Sequence, residues 1–170
     1  MKIIFLDIDG VLNSAEFANR HYEETGKPLF MYDFLDPDAV NRLKEFLDQH
    51  TDIRIVLSSS WRWGDYGKTV EFLKDTGLKC LIPYYVGDTV RSYNGHRGTE
   101  VKHFIHTMGD QEYKSLWKDG EPFKIERYVI VDDDSDMLDE QLPYFVHINS
   151  SVGITDDDYK KIEGILYGEC

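Results

Sequence analysis

A chain of 170 residues with 32 Asp plus Glu against 19 Lys plus Arg carries a formal charge of −13. That length suits a single domain, residues 1–170, with a real core, and 41% hydrophobic with 14% aromatic residues excludes a disordered chain. The acidity argues against a general electrostatic grip on nucleic acid, which needs basic surface, and no apolar run approaches the ~20 residues of a membrane span. In chain order, Lys2–Leu6 reads as a short buried strand ending at Asp7-Ile8-Asp9-Gly10. It meets Asp7 too early to be the apolar core of a signal peptide. Asp36 then caps a helix with Pro37 in its first turn and Val40, Leu43, Phe46 and Leu47 at helical spacing. Ile53–Leu57 is a second strand, running into Ser58-Ser59-Ser60. A helix carrying Val70, Phe72 and Leu73 follows, with Gly77 as its C-terminal stop.

Leu81–Val86 is the predicted third strand, made irregular or pushed toward an edge by Pro83. Thr99–Met108 reads as a helix with Val101, Phe104, Ile105 and Met108 on one face. Residues 109–124 are polar and loop-like, with an extra helical turn around Tyr113–Trp117. Tyr128–Val131 and Phe145–Ile148 are the fourth and fifth strands, and Thr155 caps a last helix. The acidic run Asp156-Asp157-Asp158 sits at that helix's start, where it complements the dipole. Alternating strands and helices predict an α/β fold with a parallel sheet of about five strands between two helical layers. Cys80 and Cys170 make neither a disulfide framework nor a zinc site, so a reducing cytoplasm is the expected compartment.

In such a sheet the ligand site lies outside the carboxyl ends of the strands. Those ends here carry Asp7 and Asp9, Ser58 and Ser59, and Asp132 and Asp133, while Arg97 opens the helix before the fourth strand. Several carboxylates at one sheet edge cannot all stay ionised unless a cation joins them. Oxygen-only ligands select a hard ion, and Mg²⁺ fits. Hydroxyls, backbone N–H groups and one Arg are then free to hold phosphate oxygens, and Gly10 lets the backbone turn closely around a ligand. A carboxylate beside a bound phosphoryl group can attack it in line, and a second can protonate the leaving oxygen.

Four of these segments, in this order, resemble the motifs of the haloacid dehalogenase (HAD) superfamily: Asp7-Ile8-Asp9-Gly10-Val11, Ile55-Val56-Leu57-Ser58, His96-Arg97-Gly98-Thr99-Glu100 and Val129-Ile130-Val131-Asp132-Asp133. Asp9-Gly10-Val11-Leu12-Asn13, Ser58–Arg62 and the Asn149–Thr155 segment resemble more narrowly the HAD domains of Swiss Army Knife RNA repair proteins and, loosely, the phosphatase half of polynucleotide kinase–phosphatases. The resemblance implies a Rossmann-like three-layer sandwich. It implies Asp7 as a nucleophile that becomes an aspartyl-phosphate and Asp9 as general acid and base. Ser58 or Ser59, Arg97 and Gly10 would bind phosphate. Asp7, Asp9 (through its backbone carbonyl), Asp132 and Asp133 would hold Mg²⁺, with Asp136 in support. Lys102 is the alternative to Arg97.

Both places where a cap domain would be inserted, residues 12–36 and 87–126, are short, so a capless or minimally capped member is expected. An open site suits a large substrate such as the end of a DNA or RNA chain. Trp61 and Arg62 are candidate contacts to it by stacking and clamping, or else plain packing and a salt bridge. The alternatives are a phosphatase of nucleotides or other small phosphomonoesters, favoured by the −13 charge, and a non-catalytic HAD-like binding module.

Overall fold

Lys2–Leu6 (β1), Ile53–Leu57 (β2), Tyr85–Asp88 (β3), Arg127–Asp132 (β4) and Phe145–His147 (β5) form one sheet, every pair parallel, in the order β3-β2-β1-β4-β5. They belong to a computed structural model that describes residues 1–29, 34–93, 95–108 and 110–168. Cys170 lies outside these residues. Five helices accompany the sheet: α1 (Ala15–Thr25), α2 (Pro37–Gln49), α3 (Tyr66–Asp75), α4 (Arg97–Thr107) and α5 (Asp156–Tyr167). This is the expected α/β architecture. No helix among the described residues is long and apolar enough to cross a membrane.

The two-residue period of the strands sorts the core into two halves. Ile4 and Leu6 of β1, Ile55 and Leu57 of β2 and Val129 and Val131 of β4 pack with α2, α3 and α5. Ile3 and Phe5, Val56 and Ile130 face the opposite way, toward Val101 and Phe104 of α4. The sequence order explains this division. The chain moves one way from β1 to β3, then jumps back across β1 to β4. Right-handed crossovers in opposite directions put their helices on opposite faces. The reversal lies between β1 and β4, and there the crevice at the strand ends opens.

The same period decides where the carboxylates point. The ladder continues one step beyond β1 and β2, with Asp7 N–H donating to Val131 O (3.0 Å) and Ser58 N–H to Leu6 O (2.8 Å). Asp7, Ser58 and Asp132 therefore follow Phe5, Val56 and Ile130 onto the α4 face.

Local signals hold where the side chain itself makes the structure. Asp36 accepts from Asp38 N–H (2.9 Å) to cap α2. Thr155 and Asp158 form the reciprocal cap of α5, which gives Asp158 a structural role rather than a metal-binding one. Three expectations need correction. The third strand begins at Tyr85, not Leu81, because Leu81–Tyr85 closes turns (Tyr84 N–H to Leu81 O 3.0 Å, Tyr85 N–H to Ile82 O 3.3 Å) around Pro83, which has no N–H for a ladder. Gly77 is not the helix stop: α3 ends at Thr76 in extended conformation, and the glycine adopts no positive φ. Helix α4 starts at Arg97 rather than Thr99, drawn out by contacts with the loop after β4. The segment 12–36 also contains α1, which was not foreseen. Ser14 accepts from Phe17 N–H at its start, and Gly26 (φ 67°) ends it.

Candidate active site

Asp7, 4% exposed, stands at the end of β1 beside Asp132 at the end of β4. Arg97 reaches both from the first turn of α4. Its Nη2 donates to Asp7 Oδ1 at 3.3 Å, its Nε to Asp132 Oδ2 at 2.9 Å and its Nη1 to Glu100 Oε2 at 3.2 Å. Nothing on α4 itself caps its first turn. Asp136, from the loop after β4, fills that place by accepting from Arg97 N–H (2.8 Å). The turn also presses close to its neighbours: a side chain at Gly98 would lie 2.6 Å from Gln141 Oε1 and 2.7 Å from Leu138 N. Asp136 thus supports the site by fixing the helix that carries Arg97.

Burial, with the adjacent Asp132, pushes the Asp7 carboxyl up to about 8 against the opposing pull of Arg97. Burial likewise pushes Asp132 up to about 6, with Arg97 opposing, and raises Asp133. One guanidinium does not balance three carboxylates gathered at a dry sheet edge. Ligand atoms of Asp7, Asp132 and Asp133 all lie within 4.8 Å of one another, an all-oxygen set that fits a hard divalent cation such as Mg²⁺. The close approach of Asp133 requires a glycine opposite it. Gly10 has φ +70°, and a Cβ there would meet Asp133 Oδ2 at 2.2 Å.

The other expected site residues divide. Asp9 stands near Asp7 and Asp133 and helps to raise both, but its carboxylate is not one of the three gathered oxygens. It accepts from Trp61 Nε1 (3.0 Å to each oxygen), Ser60 Oγ (3.1 Å) and Asn13 Nδ2 (3.0 Å). The Gly10 N–H donates to Asn13 Oδ1 (2.6 Å), so it is engaged within the turn rather than offered to phosphate. Of the two serines, Ser59 is the one near enough to Asp7 to draw its carboxyl down, whereas Ser58 accepts from Thr89 Oγ1 at 3.4 Å. Lys102 lies away from the site, its ammonium 2.8 Å from Glu140, and so does not replace Arg97.

Arg62 is not a surface clamp. At 5% exposed it pairs with Glu100 (2.6 Å) and donates to Ser59 O. Trp61 both packs edge-on to Phe72 and holds Asp9 through its indole N–H.

The sequence reading missed Glu100, which is 3% exposed and joins Arg62 to Arg97 while accepting from Ser92 N–H (2.8 Å). The available signal was its spacing: three residues after Arg97, it shares that residue's helix face. Asp88 at the end of β3 was also missed. It is fully buried and accepts from Thr69 Oγ1 (2.6 Å) and Tyr85 Oη (2.7 Å). A family model described as the HAD domain in Swiss Army Knife RNA repair proteins matches residues 3–159. Neither curated proteins nor solved structures yield a match.

Proposed function

The chain belongs to the HAD domain family of Swiss Army Knife RNA repair proteins, and from that premise we propose that it is a phosphomonoester hydrolase that removes the terminal phosphate of an RNA end. The observation that carries the reading is the Asp7–Arg97–Asp132 bridge, with Asp133 within reach, at the sheet's point of reversal. Asp7, Asp132 and Asp133 are the residues that would hold Mg²⁺. When bound, that ion supplies charge neutralisation and orientation for the phosphoryl oxygens.

The chain's own groups account for the remaining work. An Asp7 carboxylate oxygen attacks phosphorus in line. A bond to phosphorus forms, the bond to the leaving oxygen breaks, and Asp9 delivers a proton to that oxygen. Arg97 and the Ser59 hydroxyl stand beside Asp7 and stabilise the charge on the transferring group. In the second half, Asp9 accepts a proton from water as it attacks the aspartyl-phosphate, and inorganic phosphate leaves with Asp7 restored. Trp61, Ser60 and Asn13 hold Asp9 in the meantime.

A smaller substrate, a nucleotide or other phosphomonoester, is the second reading. The overall charge of −13 favours it, because a polyanion is repelled more strongly than a mononucleotide. The deciding experiment compares turnover of phosphorylated oligoribonucleotides, mononucleotides and p-nitrophenyl phosphate, with Mg²⁺ and with EDTA. The expected result is Mg²⁺-dependent hydrolysis that is best on the oligoribonucleotide and lost in Asp7→Asn with the fold retained. Better rates on mononucleotides would select the second reading. Undiminished activity in Asp7→Asn would remove the nucleophile, and no activity on any substrate would leave a binding module.

A further inference from the structure

A cleft of about 920 Å³ opens along Ser60–Gly64. Two of its lining residues, Ser60 and Trp61, donate to the Asp9 carboxylate, which ties the cleft to Asp9. One wall carries Trp61, Trp63 and Phe72, with ring centroids 5.8 Å apart for Trp61–Phe72 and 6.0 Å for Trp63–Phe72. Tyr113, from the turn at Gln111–Leu116, lines it as well and is braced edge-on by His103 at 5.3 Å. Trp63 is 59% exposed, an unusual position for the largest apolar side chain. Its loop is nonetheless ordered by Trp63 N–H donating to Thr69 Oγ1 (3.1 Å) and by Asp65 capping α3. Arg91 brings a positive charge to the same cleft. One of its terminal nitrogens donates to Ser60 O at 2.7 Å, and among the described residues it has no acidic partner. Glu112 is the opposing charge on the rim.

Resting on the phosphatase reading above, we propose that this cleft binds the last unpaired bases of a single-stranded RNA end. The leaving group of the proposed reaction meets Asp9, and Ser60 and Trp61, which hold that carboxylate, form one end of this cleft. The exposed Trp63 and the half-buried Tyr113 match the flat faces of nucleobases, which duplex RNA keeps stacked and unavailable. The volume is at the upper end of the roughly 300–1,000 Å³ that encloses a drug-sized ligand, which leaves room beyond one nucleoside. The Arg91 guanidinium, held on backbone carbonyls rather than on an acid, matches one internucleotide phosphate. Recognition here is by stacking more than by charge, which reconciles a polyanionic substrate with an acidic protein.

The test is fluorescence anisotropy of a short labelled oligoribonucleotide without terminal phosphate, titrated with the full chain in Mg²⁺. Binding is expected to weaken roughly tenfold in Trp63→Ala and in Tyr113→Ala, to survive largely in Trp63→Phe, and to fall strongly when the same strand is annealed to its complement. In Arg91→Ala the log–log salt dependence should flatten by about 0.7, the slope of one phosphate contact. Circular dichroism establishes that each variant is folded. Absence of binding, equal affinity of both alanine variants with the parent, or equal affinity for the duplex would overturn the proposal. This measurement needs no turnover. A chain that binds the strand through Trp63 and Tyr113 yet hydrolyses nothing would refute the reaction and keep the cleft.

Discussion

Glu100 shows how one buried carboxylate can organise the candidate site through other side chains. Its Oε2 accepts from both Arg62 and Arg97, and its Oε1 from the Ser92 N–H. Arg62 in turn holds the carbonyl of Ser59, so the serine and the arginine beside Asp7 share one anchor. Removing it would leave the buried Arg62 uncompensated. Glu100→Ala is therefore expected to cost about 3–5 kcal/mol of stability, read by urea denaturation. Asp88 supplies a pH signature separate from the catalytic cluster. Burial pushes its carboxyl up to about 6 from 3.8, against the hydrogen bonds of Thr69 and Tyr85. Between those values the folded chain keeps a proton that the unfolded chain has released, so stability falls as pH rises through the window. At 1.36 kcal/mol per pKa unit the loss is about 3 kcal/mol. Asp88→Asn should lack it, so the difference between variant and parent in denaturation midpoint should move in the variant's favour from pH 4 to pH 6. A constant difference would remove Asp88 as the cause.

At the scale of elements, position relative to the chain reversal matters more than propensity. Helix α4 has no side-chain cap of its own and starts with Arg97-Gly98, yet it begins two residues earlier than its apolar pattern. Asp136 and Gln141, brought from beyond β4, satisfy that end: Gln141 Nε2 donates to Gly98 O at 2.9 Å and Asp136 accepts from Arg97 N–H. A period-based reading sees the helix core and misses a terminus made by residues about forty positions away. Helix α2 is the opposite case. Asp36 is its own local signal, and Asp36→Ala should cost about 1 kcal/mol in thermal or urea denaturation without altering the strand-end cluster. Ser14 is an equally good cap for α1. That helix buries none of its residues, so the apolar stripe that reveals a helix in sequence is missing.

Across the whole molecule, the charge of −13 is uneven in its consequences. Three of the carboxylates converge on the metal-shaped cluster, Arg97 is spent among them and Lys102 among surface acids, and Arg91 remains at the cleft. Because the cluster is assembled only in the folded chain, Mg²⁺ should stabilise it by mass action, by about 2.7 kcal/mol at a hundredfold excess over the dissociation constant. A thermal melt should therefore move upward with Mg²⁺ and back with EDTA. The shift should disappear in Asp132→Asn, and an equal shift in that variant would place the ion elsewhere.

The sequence by itself determined the fold class, four of the five strands to within a residue or two, and the identity of the strand-end acids. Each of these is written in short-range terms: a two-residue burial period, a cap, a run of apolar residues stopped by Asp. It also singled out Arg97, which the fold brings to Asp7 and Asp132. Only the tertiary structure decided that Ser59 rather than Ser58 meets Asp7, that Arg62 is buried against Glu100, that Asp9 is held by Trp61, and that an aromatic cleft adjoins it. The reason is physical. Which face a strand residue takes follows from local geometry, but which partner a buried charge finds depends on the low-dielectric space that several distant elements enclose together, and no single stretch of sequence contains that space.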